Sequence, residues 1–279
     1  MLDKAVLLIE TEDAKGLVYK VGSVLFEMGL NIDHNGEFVE KSTGRFFMRT
    51  ELSGPVDSKE LQARLKTALP EDSIIKLLPM KKKRIVVLVT KESHCIGDLL
   101  IRHEFGELNA EIAAVVGNYE ILKSLTEKFD IPFHYVDHIG LEREEHEARM
   151  IEIIDRYEPD YLVLAKFMRV LTPKFVKHYA NRIINIHHSF LPAFIGAKPY
   201  QQAYDRGVKI IGATAHFVND NLDEGPIIAQ NVINVDHSYS AEDMATAGHD
   251  VEKIVLAKAI KVVFEDRVFV NQNKTVIFD

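Results

Sequence analysis

R-I-V-V-L-V-T at 84–90 is the stretch that decides the architecture. Ile85, Val86, Val87, Leu88 and Val89 leave neither face of a strand polar. A strand of that kind is buried on both sides, as in a parallel sheet covered by helices. The signal then repeats. Glu111–Gly117 (E-I-A-A-V-V-G), Phe133–Val136, Tyr161–Ala165 (Y-L-V-L-A) and Arg182–Ile186 read as further strands. Ile96–Glu104, Glu120–Phe129, Glu142–Arg156 and Leu171–Tyr179 read as the helices between them. This alternation predicts an open, mostly parallel α/β sheet in a domain spanning 84–279. Such sheets hold ligands beyond the carboxyl ends of their strands. Lys166-Phe167-Met168-Arg169 and Asn185-Ile186-His187 fall at two such ends.

Downstream of the histidines the chain reads as loop through Gly196 and helix over Pro199–Arg206. Extended segments follow at Gly212–Val218 and Pro226–Asn234, with Asn219–Gly225 as the turn between them. Ser240–Val263 is a long helix opened by S-A-E-D, a capping signal with Ser240 at the cap and Asp243 three residues on. Arg267–Asn271 and Thr275–Phe278 read as a terminal hairpin.

Upstream the pattern differs. Ala5–Glu10 is a strand, and Val18, Val21, Val24, Leu25 and Met28 recur at helical spacing up to Gly29. Asn31–Val39 and Arg45–Leu52 are strands, Leu61, Leu65 and Leu69 mark a second helix, and Ser73–Leu78 is a last strand. The order βαββαβ over residues 1–80 fits a ferredoxin-like, four-stranded antiparallel sheet with two helices on one face. Pro79 and the basic run Lys81-Lys82-Lys83-Arg84 read as an exposed linker rather than a nucleic-acid patch.

Composition narrows the function classes. The 279 residues are 47% hydrophobic, enough for a sizeable core, and carry a net charge of −8. That charge argues against an electrostatic nucleic-acid binder. Cys95 is the single cysteine, so no internal disulfide can form, which fits a cytoplasmic protein. The apolar run Ala5–Ile9 is too short for a signal-peptide core, and no run approaches the roughly 18 residues of a membrane span.

Three groups carry the chemistry. Asn185 and His187 stand two apart after an apolar run, and Asp223 sits in the later turn. An amide donor, an imidazole and a carboxylate are what acyl transfer needs without a nucleophilic serine or cysteine. Adjacent His187 and His188, with no H-E-x-x-H and no cysteine pair, do not form a zinc pattern, so no metal and no cofactor is expected. Cys95 reads as a buried apolar residue more readily than as a nucleophile.

Residues 84–279 resemble the folate-dependent formyltransferase family. The resemblance rests on F-M-R-V-L-T-P (167–173), N-I-H-H-S-F-L-P (185–192) and H-F-V-N-D-N-L-D-E-G-P-I-I (216–228). It implies a Rossmann-like domain acting on 10-formyltetrahydrofolate, a substrate rather than a bound cofactor. Asn185 would donate to the oxyanion, His187 would protonate the folate N10 or bond the tetrahedral intermediate, and Asp223 would orient His187 and accept a proton. Met168, Val170 and Leu171 on one side, and Asp220, Asn221 and Leu222 on the other, would wall the pterin ring. Arg169 would reach the folate glutamate or stand free as a surface charge. His216 would lie beside Asp223 or serve as a core histidine. His188 would belong to the water-using branch of the family or simply pack.

Nucleotide-accepting members of the family carry a glycine-rich G-x-G-S-N loop after the first strand, whose N–H groups cradle a phosphate. This chain has Thr90-Lys91-Glu92-Ser93-His94-Cys95 there, glycine-free and with an acid that repels phosphate. The resemblance therefore implies water as acceptor and formate as product, serving purine biosynthesis and the balance of one-carbon folate pools. An amine-accepting transferase and a folate or amino-acid sensor without turnover are the alternatives.

Residues 1–80 resemble the ACT family of small-ligand regulatory modules, on E-T-E-D-A-K-G-L-V-Y-K-V-G-S-V-L-F-E-M-G-L-N-I (10–32). That implies an amino-acid effector, glycine or methionine, at Asp13, Gly16, Leu17, Gly29 and Asn31, and a homo-oligomer paired through these modules. The glycines equally suit a turn and a helix cap, with Asp13 as an N-cap.

Overall fold

In the computed structural model, which describes residues 2–193 and 198–279, Ile85–Val89 are each fully buried. The part of the expected loop at 194–197, Gly196 included, lies outside the described residues. β5 (Lys83–Val89) sits inside a seven-stranded sheet. The elements following it are α3 (His94–Glu104), β6 (Ala110–Gly117), α4 (Lys123–Glu127), β7 (Phe133–Tyr135), α5 (Arg143–Asp155), β8 (Tyr161–Ala165), α6 (Pro173–His178), β9 (Ile183–His187), α7 (Pro199–Arg206), β10 (Ile210–Phe217), β11 (Ile227–Asn234) and α8 (Ala241–Phe264). The sheet order is β11-β10-β9-β8-β5-β6-β7, parallel from β9 through β7. β10 runs antiparallel to both β9 and β11. One face packs Val86, Leu88, Leu162 and Leu164 against Met150 and Ile154 of α5 and Phe175 of α6. α8 buries Val255, Leu256, Ala259 and Ile260, and packs on α3, α7, β9, β10 and β11. Its start is the reciprocal cap expected from S-A-E-D: Asp243 N donates to Ser240 Oγ (3.1 Å) and Ser240 N donates to Asp243 Oδ2 (2.9 Å).

The first unit contains β1 (Leu2–Glu12), α1 (Leu17–Glu27), β2 (Asn31–Glu40), β3 (Arg45–Val56), α2 (Ser58–Ala68) and β4 (Ile74–Pro79). Its antiparallel sheet has the order β2-β3-β1-β4. Ala5, Leu7 and Ile9 face Leu17, Val21 and Leu25 of α1 and Leu61 and Leu65 of α2. Val6 and Leu8 face the other way, onto Phe47, Phe269 and Phe278. Both faces of β1 are covered, which explains why its sequence does not alternate.

The chain divides into Met1–Lys81 with Glu265–Phe269 and Val276–Asp279, and Lys82–Phe264 with Val270–Thr275. The terminal hairpin β12 (Val268–Asn271) and β13 (Lys274–Ile277), expected within a domain running from 84 to 279, is thus divided between the two. Aromatic packing is the cause: Phe269 meets Phe47 edge-on at 5.4 Å and Phe278 at 5.6 Å. Arg49, 2% exposed, adds Nε–H and Nη2–H bonds to the Asp266 and Glu265 carbonyls.

Three local expectations change. The helix read over Glu120–Phe129 contracts to α4, with Leu122 buried but Ile121 left exposed ahead of it. Gly54, at φ +125, carries β3 past Leu52, where the strand reads as ending, through to Val56 opposite Leu2. Asp13 is not an N-cap: α1 starts from Gly16 at φ +87 without a side-chain cap. Gly29, at φ +67, follows the end of that helix, so backbone conformation accounts for both glycines. Leu17 is buried on α1, and Asn31 donates to Asp33 (2.8 Å).

Candidate active site

Asn185 and His187 lie two residues apart on β9 and therefore project from one face of the sheet. Antiparallel pairing sets Asn185 opposite His216 and His187 opposite Thr214. His216 is 2% exposed, and its Nδ1 lies 2.8 Å from the Phe217 carbonyl. A carbonyl can only accept, so Nδ1 carries the proton and Nε2 of the neutral ring is an acceptor. That acceptor takes an N–H from Asn185 Nδ2 at 3.2 Å. The bond fixes the amide's orientation and leaves its second N–H for another partner.

Asp223 comes back to this place on the turn between β10 and β11. Asn219 Oδ1 accepts from Asn221 N (3.1 Å), and Asp223 itself adopts φ +57. Gly225 is required by space: a Cβ there would lie 1.7 Å from the Phe217 carbonyl oxygen. Asp223 Oδ1 lies 3.3 Å from His187 Nδ1 and 3.7 Å from His216 Nε2. Burial favours the neutral acid, but the hydrogen bond from His187 Nδ1 and the close approach of His216 outweigh it and hold Asp223 well below the ordinary carboxylate range. A fixed carboxylate at Nδ1 makes that nitrogen the donor and leaves Nε2 of His187 as the free base. Nε2 is buried and, among the described residues, has no hydrogen-bond partner.

The constellation opens into a cavity of about 310 Å³. Met168, Arg169, Val170, Leu171, His216, Asp220, Asn221 and Leu222 all line it together with Asn185, His187 and Asp223. Met168 and Leu222 are more than half exposed there, apolar side chains left open around a cleft. Three bonds hold the 166–172 segment in place. Met168 N donates to Thr90 Oγ1 (2.9 Å), and Thr172 N donates to Glu147 Oε1 (2.9 Å), with the Thr172 hydroxyl donating to Glu147 Oε2. Thr214 does the same for the turn after the histidines: Oγ1 accepts from Leu191 N (3.0 Å) and donates to the Ser189 carbonyl (2.8 Å). Sequence reasoning missed Glu147 and Thr214. An acid at a buried position of α5 was the available signal for the first.

A second polar cluster borders the cavity. Glu252 on α8 is fully buried, accepting from Tyr200 Oη (2.7 Å) and from His94 Nε2 (2.8 Å), with Lys166 Nζ at 3.2 Å. Burial opposes its ionisation, yet His94, Lys166 and Tyr200 together hold its carboxyl at about 2. Burial and the Lys166 charge push His188, which also lines the cavity, down to about 4, so its imidazole is neutral near pH 7. Burial pushes the Cys95 thiol up, away from nucleophile behaviour. Glu92, His94 and His249, and likewise His94, Cys95 and Glu252, bring donor atoms within 4.8 Å of one another. The carboxylate of each grouping already faces the Lys166 ammonium, at 3.7 Å and 3.2 Å. Glu252 and Lys166 were also missed. The signal was an acid on the apolar stripe of α8, between Val251 and Val255.

A parallel α/β sheet with an amide donor, an imidazole and a carboxylate at one strand end, beside an apolar cleft, defines a class of acyl-group-handling enzymes. Residues 83–260 match the family model described as formyl transferase. The chain belongs to the formyl transferase family and, over its whole length, groups with the formyltetrahydrofolate deformylases. It is 59% identical over 276 residues to formyltetrahydrofolate deformylase of Escherichia coli, covering 99% of each chain. A crystal structure of a formyltetrahydrofolate deformylase from Pseudomonas syringae pv. tomato superposes with a TM-score of 0.95 at 40% identity, covering 100% of this chain and 95% of that one. Glycinamide ribonucleotide transformylase 1 from Symbiobacterium toebii gives a TM-score of 0.69 at 28% identity, over 73% of this chain and 97% of its own.

Proposed function

We infer that this protein hydrolyses 10-formyltetrahydrofolate to tetrahydrofolate and formate. The observation that carries the inference is the pair of contacts Asn185–His216 and His187–Asp223 at one cavity, in a chain similar from end to end to formyltetrahydrofolate deformylases. Water attacks the formyl carbon, a C–O bond forms, and the carbonyl π pair moves onto oxygen. The free N–H of Asn185 meets that oxyanion. Buried His187 Nε2 takes a proton from the attacking water and returns it to N10 as the C–N10 bond breaks. Asp223, firmly ionised, holds the His187 ring and offsets the imidazolium charge; a water-relayed proton is its second role. The released formic acid gives its proton to solvent.

The pterin ring lies between the 168–171 segment and the 220–222 turn and bonds their main-chain groups, with Arg169 near the folate glutamate. Folate is substrate here, and neither a metal nor a bound cofactor takes part. Formate so produced supplies purine biosynthesis and balances one-carbon folate pools in the cytoplasm; among the described residues no helix is long and apolar enough to cross a membrane.

The first unit we read as an ACT-like regulatory module binding glycine or methionine near Asp13, Gly16, Leu17, Gly29 and Asn31, in a homo-oligomer. Its β2 is a ten-residue edge strand with every residue at least partly exposed, a surface suited to pairing. Calorimetric titration of the intact protein checks the effector, and absence of binding by both amino acids removes it. The main test is formate release by purified protein without added acceptor. Formate and tetrahydrofolate in equal amounts are expected. Release only when an amine is supplied would make the protein a transferase.

A further inference from the structure

Lys166, the first residue beyond β8, combines two costly features. It is 3% exposed, and it adopts φ +61, a left-handed conformation rarely taken by residues with a side chain. Strain of this kind persists where the surroundings over-determine it, commonly at functional sites. The surroundings here are built for the purpose. Lys166 Nζ lies 3.2 Å from Glu252, which His94 and Tyr200 hold from the other side. Gly248, one turn earlier on α8, makes room for the Tyr200 hydroxyl, since a Cβ there would come within 2.0 Å of it. Stability alone does not call for such a group, because well-packed apolar residues commonly replace a buried ion pair at no loss. Lys166 also lines the cavity that holds Asn185, His187 and Asp223. His188 feels the charges of both clusters, which places them side by side.

We propose that Lys166, anchored by Glu252, is the residue that restricts the formyl acceptor to water. The inference rests on the hydrolase reading and adds to it the group that sets its specificity. In transfer to an amine, the C–N10 bond breaks, a C–N bond to the acceptor forms, and N10 gains the proton the amine loses. Asn185, His187 and Asp223 can serve that exchange as well as hydrolysis. The difference is access: an amine must bring its substituent to the formyl carbon, whereas water brings none. Lys166 lines the cavity the acceptor must enter, where its side chain leaves less room for a substituent and its ammonium repels protonated amines.

The test uses the full chain with 10-formyltetrahydrofolate and methoxyamine, a small amine largely unprotonated near neutral pH. Lys166→Gly removes the side chain and suits the left-handed backbone. Lys166→Gly with Glu252→Gln also removes the carboxylate charge left behind, which guards against misfolding. Formate and N-formyl methoxyamine are quantified together. A rise in the ratio of formylated amine to formate of about tenfold or more over wild type is expected in a folded variant, the scale set by removing one steric or charge barrier. A folded variant that still forms formate alone overturns the proposal, as does one that forms neither product. Wild type that releases no formate without amine instead overturns the hydrolase reading.

Discussion

Asp223 is held by two histidines, and its substitution separates geometry from charge. Asp223→Asn keeps the shape but loses the anion that fixes the His187 tautomer, so formate release is expected to fall by about 10²–10⁴. Steady-state assay with a check of the folded state measures this, and unchanged turnover would refute the assigned role. Asn185→Ala removes the oxyanion donor, and a loss of about 10²–10³ in kcat with KM little changed is expected. These residues were legible as candidates because N-I-H-H-S-F-L-P (185–192) and H-F-V-N-D-N-L-D-E-G-P-I-I (216–228), in that order, resemble the motifs of the formyltransferase family. The bonds that aim them were not. His216 as acceptor for Asn185 depends on register across β9 and β10, and no local pattern fixes register.

At the level of elements, glycines mark where backbone and side chains crowd. Gly225→Ala collides with the Phe217 carbonyl and must displace the turn bearing Asp223. Its expected signature is loss of formate release with the remainder of the fold retained, read by kcat and near-ultraviolet circular dichroism together. Glu252 on α8 makes a pH prediction. Its folded carboxyl sits at about 2 against the ordinary 4.5. A depressed acid stabilises the fold fully above its unfolded value, and that contribution fades as pH falls from about 4.5 towards 2. Glu252→Gln should therefore narrow the stability difference between pH 7 and pH 3 by up to about 2 kcal/mol, measured by denaturant unfolding at both pH values. Equal pH dependence in both proteins would contradict it. Elements with a continuous apolar run or a capping box, β5 and α8, were legible from sequence. α4 was not, because apolar spacing does not say whether a core is there to meet it.

For the whole molecule, the two ends of the chain share one unit. Phe269 and Phe278 cover the face of β1 that α1 and α2 leave open, and Arg49 takes carbonyls from 265 and 266. A fragment of residues 1–80 lacks this second layer. It is expected to unfold non-cooperatively or at a much lower temperature than the same unit in the intact chain, since deleting one buried Phe side chain typically costs about 3–5 kcal/mol. A sharp thermal transition in the isolated fragment would contradict that. The division of the hairpin was illegible because the sequence shows alternation there but not which sheet it covers. Oxygen-18 water tests the identity of the acceptor most directly. Intact protein turning over 10-formyltetrahydrofolate in labelled water, without any amine, should release formate carrying one labelled oxygen, with tetrahydrofolate in equal amount. Unlabelled formate, or none until an amine is added, would contradict it.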